Sequence, residues 1–305
     1  MPKVLSVYGR PIRMNLFRIQ RTFLAVMVIF LGSSLWALDF SAVAGAGNLS
    51  FDRESGAPIG GGEFSGHPYP LGRIGVSGEF SDLFSFSAFF QRDPLLGNIL
   101  EGILWIDTGY LRFSVGPLFG IANTRGTAIS PGIIAGMRAD IPGIIFIEVN
   151  GMGNLGPLRE EGDYTIENSS AALGFWLPHL VNTLSVSFKK FAVLRKGDLF
   201  TEDQLWRFCY RGEIYAKNVP YTIFIDMGYQ ALTRSYDDQG FKTSDRIRSV
   251  FLGFEASVKV RPLFTIVFGA EIPLYTWGKE PLTRSGGAWF IQGFAGFVWS
   301  LEPSS

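Results

Sequence analysis

The sequence predicts an all-β protein, a transmembrane antiparallel β-barrel of fourteen strands that follows a cleaved signal peptide. Three observations predict this fold class. A basic and then apolar stretch opens the chain, apolar/polar alternating runs fill the rest, and short connections alternate with long ones. Twelve strands are the alternative, because Pro117 and Pro273 fall inside two of the runs and proline cannot donate to a strand ladder.

The N-terminal segment has the order of a secretory signal peptide. Basic residues without acidic ones lead into an apolar run from Phe23 to Leu35, and small residues follow as far as Ala37. Basic, apolar and small-residue regions in that order are typical of a cleaved signal. We place the cleavage after Ala37, with Ala44 as the alternative, and Met14 is a second candidate for the start. The predicted segments are a signal peptide at 1–37 and a barrel at 38–305.

Composition excludes several classes of protein. Lys+Arg and Asp+Glu both number 27, so no positive surplus is present to neutralise phosphates, and nucleic acid is not expected as a partner. The single cysteine, Cys209, cannot form an internal disulfide. After the signal no apolar run approaches the roughly 18 residues that a spanning helix needs. A bundle of transmembrane helices is therefore excluded.

The strands are bounded by turn residues and have room for the roughly 9–11 residues with which a tilted strand crosses a membrane. The predicted strands are Leu38 to Ser50, Pro70 to Phe80, Leu83 to Gln91, Ile99 to Ile106, Tyr110 to Ile121, Pro131 to Asp140, Ile144 to Gly153, Tyr164 to Leu177, Thr183 to Leu194, Gln204 to Lys217, Tyr221 to Thr233, Arg246 to Val260, Leu263 to Tyr275 and Gly286 to Trp299. The short turns are Ser81-Asp82, Asp107 to Gly109, Ile141 to Gly143, Pro178 to Asn182, Asn218-Val219 and Arg261-Pro262. The longer connections include Phe51 to Tyr69, Asn154 to Asp163, Arg195 to Asp203, Arg234 to Asp245 and Thr276 to Ser285.

Period-2 alternation gives most strands one apolar and one polar face. A secreted β-sandwich or a lipocalin-like barrel would alternate in the same way, but three features favour a lipid-facing apolar side: sign-balanced charges at mid-strand, aromatic residues near strand ends, and more strands than one sandwich holds. The predicted pore-lining residues are Arg112, Arg138, Glu148, Arg207, Arg211, Glu213, Asp226, Glu255 and Glu271. The predicted interfacial aromatic residues are Trp105, Tyr110, Tyr164, Trp206, Tyr221, Tyr275, Trp289 and Trp299.

Turn lengths predict two contacts between charged residues on the polar face. A two-residue turn at Asn218-Val219 places Arg211 directly opposite Asp226 and predicts an ion pair. A three-residue turn at 141–143 keeps Arg138 and Glu148 on one face as diagonal neighbours, since a one-residue slip would move one of them into lipid.

Beyond Ala37 the chain resembles the bacterial outer-membrane β-barrel proteins, and in strand number the monomeric fourteen-stranded porins. The final run from Ala288 to Trp299 is similar to the aromatic-ended last strand of this family, although Ser300 to Ser305 follow it. The resemblance implies a bacterial outer-membrane location, with membrane lipid and the barrel-insertion machinery as partners.

No catalytic, metal or cofactor site is predicted, so the protein is not expected to be an enzyme. His67 and His179 fall at opposite rims, and Cys209 has no histidine nearby in sequence. The G-x-G-x-x-G spacing at 151–156 is not followed by the helix that a dinucleotide site requires.

Two functions remain: a porin-like channel for passive diffusion of small hydrophilic solutes with weak ion selectivity, or a non-conducting surface barrel. In the second case Phe51 to Tyr69 and Arg234 to Asp245 would act as an adhesin or binding platform. The oligomeric state stays open.

Overall fold

The computed structural model describes residues 37–47, 69–123, 127–154, 156, 158–194, 199–216, 219–238, 240–278 and 291–301. The predicted signal peptide up to residue 36, the connection at 48–68 with His67, and Trp289 lie outside these residues. No helix long and apolar enough to cross a membrane occurs in the described part of the chain.

Fourteen antiparallel strands form one closed barrel in which each strand pairs with its sequence neighbours and β1 pairs with β14. The fourteen predicted strands are confirmed, and the twelve-strand alternative is wrong. Their bounds are β1 Ala37–Gly47, β2 Tyr69–Glu79, β3 Phe84–Asp93, β4 Gly97–Asp107, β5 Leu111–Asn123, β6 Thr127–Ile141, β7 Ile145–Asn154, β8 Tyr164–Leu177, β9 Leu180–Leu194, β10 Phe200–Tyr215, β11 Tyr221–Asp238, β12 Phe241–Arg261, β13 Phe264–Gly278 and β14 Gln292–Leu301.

Both prolines that favoured fewer strands lie within paired strands. The β12–β13 register shifts where Val250 pairs with Tyr275 and Phe251 pairs with Pro273. One strand therefore has an extra residue there, and such a bulge accommodates a proline. Beside Pro117 the β4–β5 pairing lapses, while the pairing of Pro117 with β6 continues. The missing N–H groups thus interrupt the ladder locally without ending a strand.

Connections alternate between two rims, which we call the short-turn rim and the long-loop rim. The short-turn rim holds the connections at 80–83, 108–110, 142–144, 178–179, 216–220 and 262–263, and the long-loop rim holds those at 48–68, 94–96, 124–126, 155–163, 195–199, 239–240 and 279–291. Several connections at the long-loop rim are short, so the predicted alternation holds only in part.

Three predicted connections are corrected by the strand pairing. The segment from Arg234 to Asp245 is a paired hairpin, in which Asp238 faces Phe241 and Gly240 takes a positive φ of 94°. Most residues of this segment are polar, as expected where the wall extends beyond the apolar belt. In the same way, β10 already begins at Phe200, so the connection predicted at Arg195 to Asp203 is shorter. The turn predicted at Pro178 to Asn182 is reduced to Pro178 and His179, since Leu177 pairs with Leu180.

The outer face of the barrel is an apolar belt. Large hydrophobic side chains such as Phe208, Ile225 and Phe254 are exposed there. Apolar side chains that are exposed in a continuous band of this kind are covered by lipid in a membrane barrel. The buried hydrophobic core lies instead inside the barrel, towards the long-loop rim.

Candidate functional site in the barrel interior

All nine predicted pore-lining residues lie on the inner face of the wall. Arg207 on β10 bonds to Glu271 on β13 at 3.1 and 2.5 Å, although these strands do not pair. Such a contact requires both side chains to point into the interior. Cross-strand pairing then extends the same face to the other predicted residues, Arg112, Arg138, Glu148, Arg211, Glu213, Asp226 and Glu255.

The predicted ion pair between Arg211 and Asp226 is confirmed. The two residues are cross-strand partners, and the guanidinium donates two hydrogen bonds of 2.7 and 2.8 Å to the carboxylate. Arg211 also donates to Glu255 on β12 at 3.1 Å. One arginine therefore neutralises two acids on the neighbouring strands, and a bidentate geometry of this kind is strong and directional.

Arg138 and Glu148 are direct rather than diagonal partners. The turn consists of residues 142–144, one position later than predicted, so Ile141 pairs with Ile145. The Arg138 guanidinium lies 3.6 Å from the Glu148 carboxylate and donates to Asp140 at 2.8–3.1 Å. The Arg138 guanidinium is thus shared by the carboxylates of Asp140 and Glu148 near the short-turn rim.

Arg112 lies at the short-turn rim and differs from the other charged residues of the set. It donates to Asp107 at 2.8 and 2.5 Å, and its side chain is about half exposed. Surface ion pairs of this kind contribute little to stability. Arg112 therefore contributes charge at the mouth rather than in the interior.

Inner aromatic rings lie over glycines of the neighbouring strand, an arrangement that the sequence analysis missed. A Cβ added at Gly174 would lie 2.1 Å from the ring of its cross-strand partner Phe146, and one at Gly75 would lie 2.0 Å from the ring of Phe89. The rings therefore lie along the wall. Each of these glycines is the cross-strand partner of a phenylalanine. The arrangement can therefore be predicted from the sequence only when the strand register is known.

Arginines stack on these rings and are held by acids. The guanidinium of Arg138 lies 4.0 Å from the ring centre of Phe146, that of Arg207 lies 4.0 Å from Phe251, and that of Arg73 lies 3.7 Å from Phe89. Arg73 also approaches Glu101 on β4 at 3.7 Å. Stacking and ion pairing together fix each guanidinium against the wall. Arg73 and Glu101 are inner-face residues that the prediction did not include.

The interior near the long-loop rim is filled by what we call the apolar cap. Its residues are Leu95, Leu96, Ile99, Leu118, Ile134, Tyr164, Ile166, Phe191, Val193, Leu232 and Ile247. The β3–β4 turn supplies the first two of these leucines and bends into the barrel. Asp93 accepts hydrogen bonds from the backbone N–H groups of Leu95 and Leu96 at 2.8 and 2.9 Å and forms an ion pair with Lys189 of β9. The turn is thus tied to a strand on the far side of the lumen.

Aromatic residues form girdles at both edges of the outer belt. Trp206 packs on Phe188 at 4.7 Å and Tyr275 on Trp277 at 5.5 Å near the long-loop rim. Exposed Tyr221 and Trp299 lie at the other edge. These four predicted girdle residues, Trp206, Tyr221, Tyr275 and Trp299, are on the outside, as interfacial aromatics are in outer-membrane barrels. The predicted girdle residue Tyr110 is exposed in the turn at 108–110, where it stands opposite Asp140.

Two predicted girdle residues point inward instead. The Trp105 indole N–H donates to Ser87 on the inner face at 3.4 Å, and Tyr164 is buried against Phe191 in the apolar cap. Position near a strand end does not determine which face a side chain occupies. Only the register does so, because side chains alternate along a strand.

A cavity of about 200 Å³ separates the apolar cap from the wall formed by β1, β2 and β14. The ion pairs Asp93–Lys189 and Arg207–Glu271 border it, and Leu71 and Gln91 line the side of β2 and β3. Among the described residues, no group of three or more His, Cys, Asp and Glu is placed to hold a metal ion. Cys209 faces the interior further from the cap and is half-buried.

Comparisons with solved structures find bacterial outer-membrane barrels. A loop-deletion mutant of OmpT, an outer membrane protein of Vibrio cholerae, aligns with 87% of this chain and 100% of its own, at 9% identity and a TM-score of 0.42. An outer membrane channel from Pseudomonas putida F1 aligns with 88% of this chain and 96% of its own, at 8% identity and a TM-score of 0.47. OprB from Pseudomonas putida aligns with 92% of this chain and 97% of its own, at 8% identity and a TM-score of 0.39. No protein-family profile and no curated protein matches the sequence.

The closed antiparallel sheet, the apolar outer belt and the two aromatic girdles define a β-barrel of the bacterial outer-membrane type. Its interior is lined by paired charges and partly filled by the apolar cap. The chain therefore forms an outer-membrane-type barrel whose lumen is narrowed by the apolar cap.

Proposed function

We propose that the protein is an outer-membrane channel through which small hydrophilic solutes diffuse passively. The supporting observation is the inner wall, where charged residues continue from the short-turn rim to the cavity beside the apolar cap. Charges of both signs would be costly inside a sealed protein core but are well solvated along an aqueous path. A fourteen-stranded barrel also lies between the filled eight-stranded and the water-filled sixteen-stranded sizes.

Weak ion selectivity follows from how these charges are paired. Each of Arg138, Arg207 and Arg211 contacts at least one carboxylate, so the field that a passing ion meets is small. Selective filters concentrate charge of one sign, whereas these pairs cancel it. Size, set by the apolar cap and the two ion pairs beside the cavity, would therefore discriminate among solutes more than charge does.

The proposal includes no chemical step, cofactor or metal. Residues 1–37 would be removed on export, the barrel-insertion machinery would assemble the remainder, and outer-membrane lipid would cover the belt. Each of these partners is a proposal that follows from the predicted signal and the barrel architecture.

Recording of single channels in planar bilayers tests this function. Purified wild-type barrel should give discrete conductance steps with weak selectivity. Arg211→Glu should move the reversal potential towards cations and lower anion conductance, because it replaces the positive partner of Asp226 and Glu255 by a third acid. Arg211→Lys keeps the charge and should retain the wild-type reversal potential. A folded wild-type barrel that stays electrically silent over a range of voltage and pH would refute the channel.

A surface platform is the second candidate, and one observation favours it. Strands β11 and β12 contain 18 and 21 residues, whereas β1 and β2 contain 11 each. The longer strands project beyond the girdle, and on the outer face beside them Lys190 contacts Glu167 and Glu202 at 3.1 and 3.6 Å. This candidate predicts no conductance, and it predicts binding that is lost when the hairpin at 234–245 is shortened.

A further inference from the structure

The cavity at the edge of the apolar cap has two chemically different sides. Leu71, Leu95 and Leu205 supply apolar surface, while Gln91 and Gln292 supply neutral amides. The amide of Gln230, which also lines the cavity, already donates to Ser249 at 3.1 Å. Pockets that combine an apolar lining with a few convergent polar groups are the usual form of small-molecule sites. The cavity is therefore more than a gap left by imperfect packing.

Four of the five charged residues that line the cavity are paired with one another, and the fifth, Arg92, is exposed at an outward-facing position of β3. Arg207 binds Glu271 through two hydrogen bonds, and Lys189 is paired with Asp93. A charged ligand that binds at these pairs would have to separate one of them and leave one partner without its counter-charge, so it should bind more weakly than an uncharged ligand. An uncharged ligand can use the glutamine amides and leave both pairs intact.

Volume limits the ligand to about one ring. The cavity measures about 200 Å³, and an apolar cavity of about 150 Å³ is large enough for benzene. The remaining space suits one polar substituent that reaches the amide side. Aliphatic side chains form the opposite side of the cavity. They favour a ligand with an apolar ring edge over a sugar-like ligand that carries hydroxyl groups on every edge.

We propose that this cavity is a binding site for an uncharged, single-ring amphiphile, a molecule with one apolar edge and one hydroxyl group. The site deepens the proposed channel function, on which it rests in one respect: the bound solute would be one that the lumen passes. Binding itself needs only the cavity, so it can be measured without any current.

Equilibrium dialysis of radiolabelled phenol against nanodiscs that contain the full-length barrel tests the site, with empty nanodiscs subtracted for lipid partitioning. We expect saturable 1:1 binding of phenol and at least tenfold weaker binding of glucose and benzoate. Leu71→Trp should fill the cavity, and Gln91→Leu should remove an amide; each should weaken phenol binding at least tenfold. Thr222→Leu makes a similar change on the inner face away from the cavity and should leave the affinity unchanged.

Each result decides a different claim. Absence of saturable phenol binding to wild type, or equal affinity in wild type, Leu71→Trp and Gln91→Leu, overturns the site. Preferential binding of glucose or benzoate overturns the ligand class. Unboiled migration on gels verifies that each variant is folded. If the barrel conducts but does not bind phenol, the channel is supported and the binding site is refuted. If it binds phenol but does not conduct, the binding site is supported and the channel is refuted.

Discussion

Inner-face glycines determine where the large aromatic side chains of the lumen can lie. Phe146 rests on Gly174 of the next strand, and Arg138 rests in turn on Phe146. A methyl group at the glycine would displace the ring, and the ring would displace the guanidinium that it supports. A change of one carbon atom on the wall is thus transmitted to a charge in the lumen.

Gly174→Ala should destabilise the barrel by about 1–3 kcal/mol, because the new Cβ would lie 2.1 Å from the Phe146 ring. Gly151→Ala on the adjacent strand is the matched control, since an added Cβ there meets nothing within 4 Å. It should change stability by less than about 0.5 kcal/mol. Urea unfolding of both variants in lipid vesicles measures the difference, and equal midpoints would contradict the steric argument.

Residue contacts could be predicted from the sequence only between neighbouring strands. Arg211 and Asp226 were found because one short turn fixes their register. The pairs Arg207–Glu271 and Asp93–Lys189 join strands that do not pair, and no local pattern encodes the distance across a lumen. Leu95 and Leu96 were a missed signal, since two leucines in a turn are exposed unless the turn folds inward.

Each strand of the wall separates lipid from lumen by alternation alone. On β11, Ile225 is at the centre of the outward run from Tyr221 to Tyr229, and its side chain is 41% exposed. Thr222 of the same strand faces inward and pairs with Ser257. The two positions are three residues apart, and the first faces lipid whereas the second faces the lumen.

Ile225→Arg should cost roughly 2–4 kcal/mol of folding stability, the cost of placing arginine at the lipid-facing midplane of a barrel. Thr222→Arg should be tolerated, because the inner face already carries charged residues. Reversible urea unfolding in vesicles measures both. If Thr222→Arg were the more damaging of the two, the assignment of faces on β11 would be reversed.

Strand existence was predictable from alternation, whereas strand ends at the long-loop rim were not. Most residues at 234–245 are polar, and in a sequence a polar segment with a glycine such as Gly240 is typical of a loop. The hairpin stays extended because Arg234 donates to Asp203 at 2.6 and 2.9 Å and Leu232 packs in the apolar cap. These contacts are tertiary, so hydropathy along the chain does not report them.

At the scale of the whole molecule the barrel is oblique. Every strand has one end at the short-turn rim, but β14 contains 10 residues and β12 contains 21. With a rise of about 3.3 Å per residue and the usual tilt, the long side projects about 25–30 Å beyond the short one. The apolar cap packs against this taller wall, and the cavity lies beside the shorter wall of β1, β2 and β14. The open part of the lumen is therefore confined to one side.

Removing the leucines of the inward-folded turn should widen that path. Leu95 and Leu96 are 2% and 1% exposed, so a Leu95→Ser/Leu96→Ser double variant should lose their packing in the cap and leave the rest of the wall paired. Single-channel conductance in planar bilayers should rise at least twofold, with the reversal potential unchanged because no charge is altered. Leu83→Ser makes the same substitution in an exposed turn at the short-turn rim and should leave the conductance as it is. Equal conductance in the double variant and wild type would show that the cap does not limit the current.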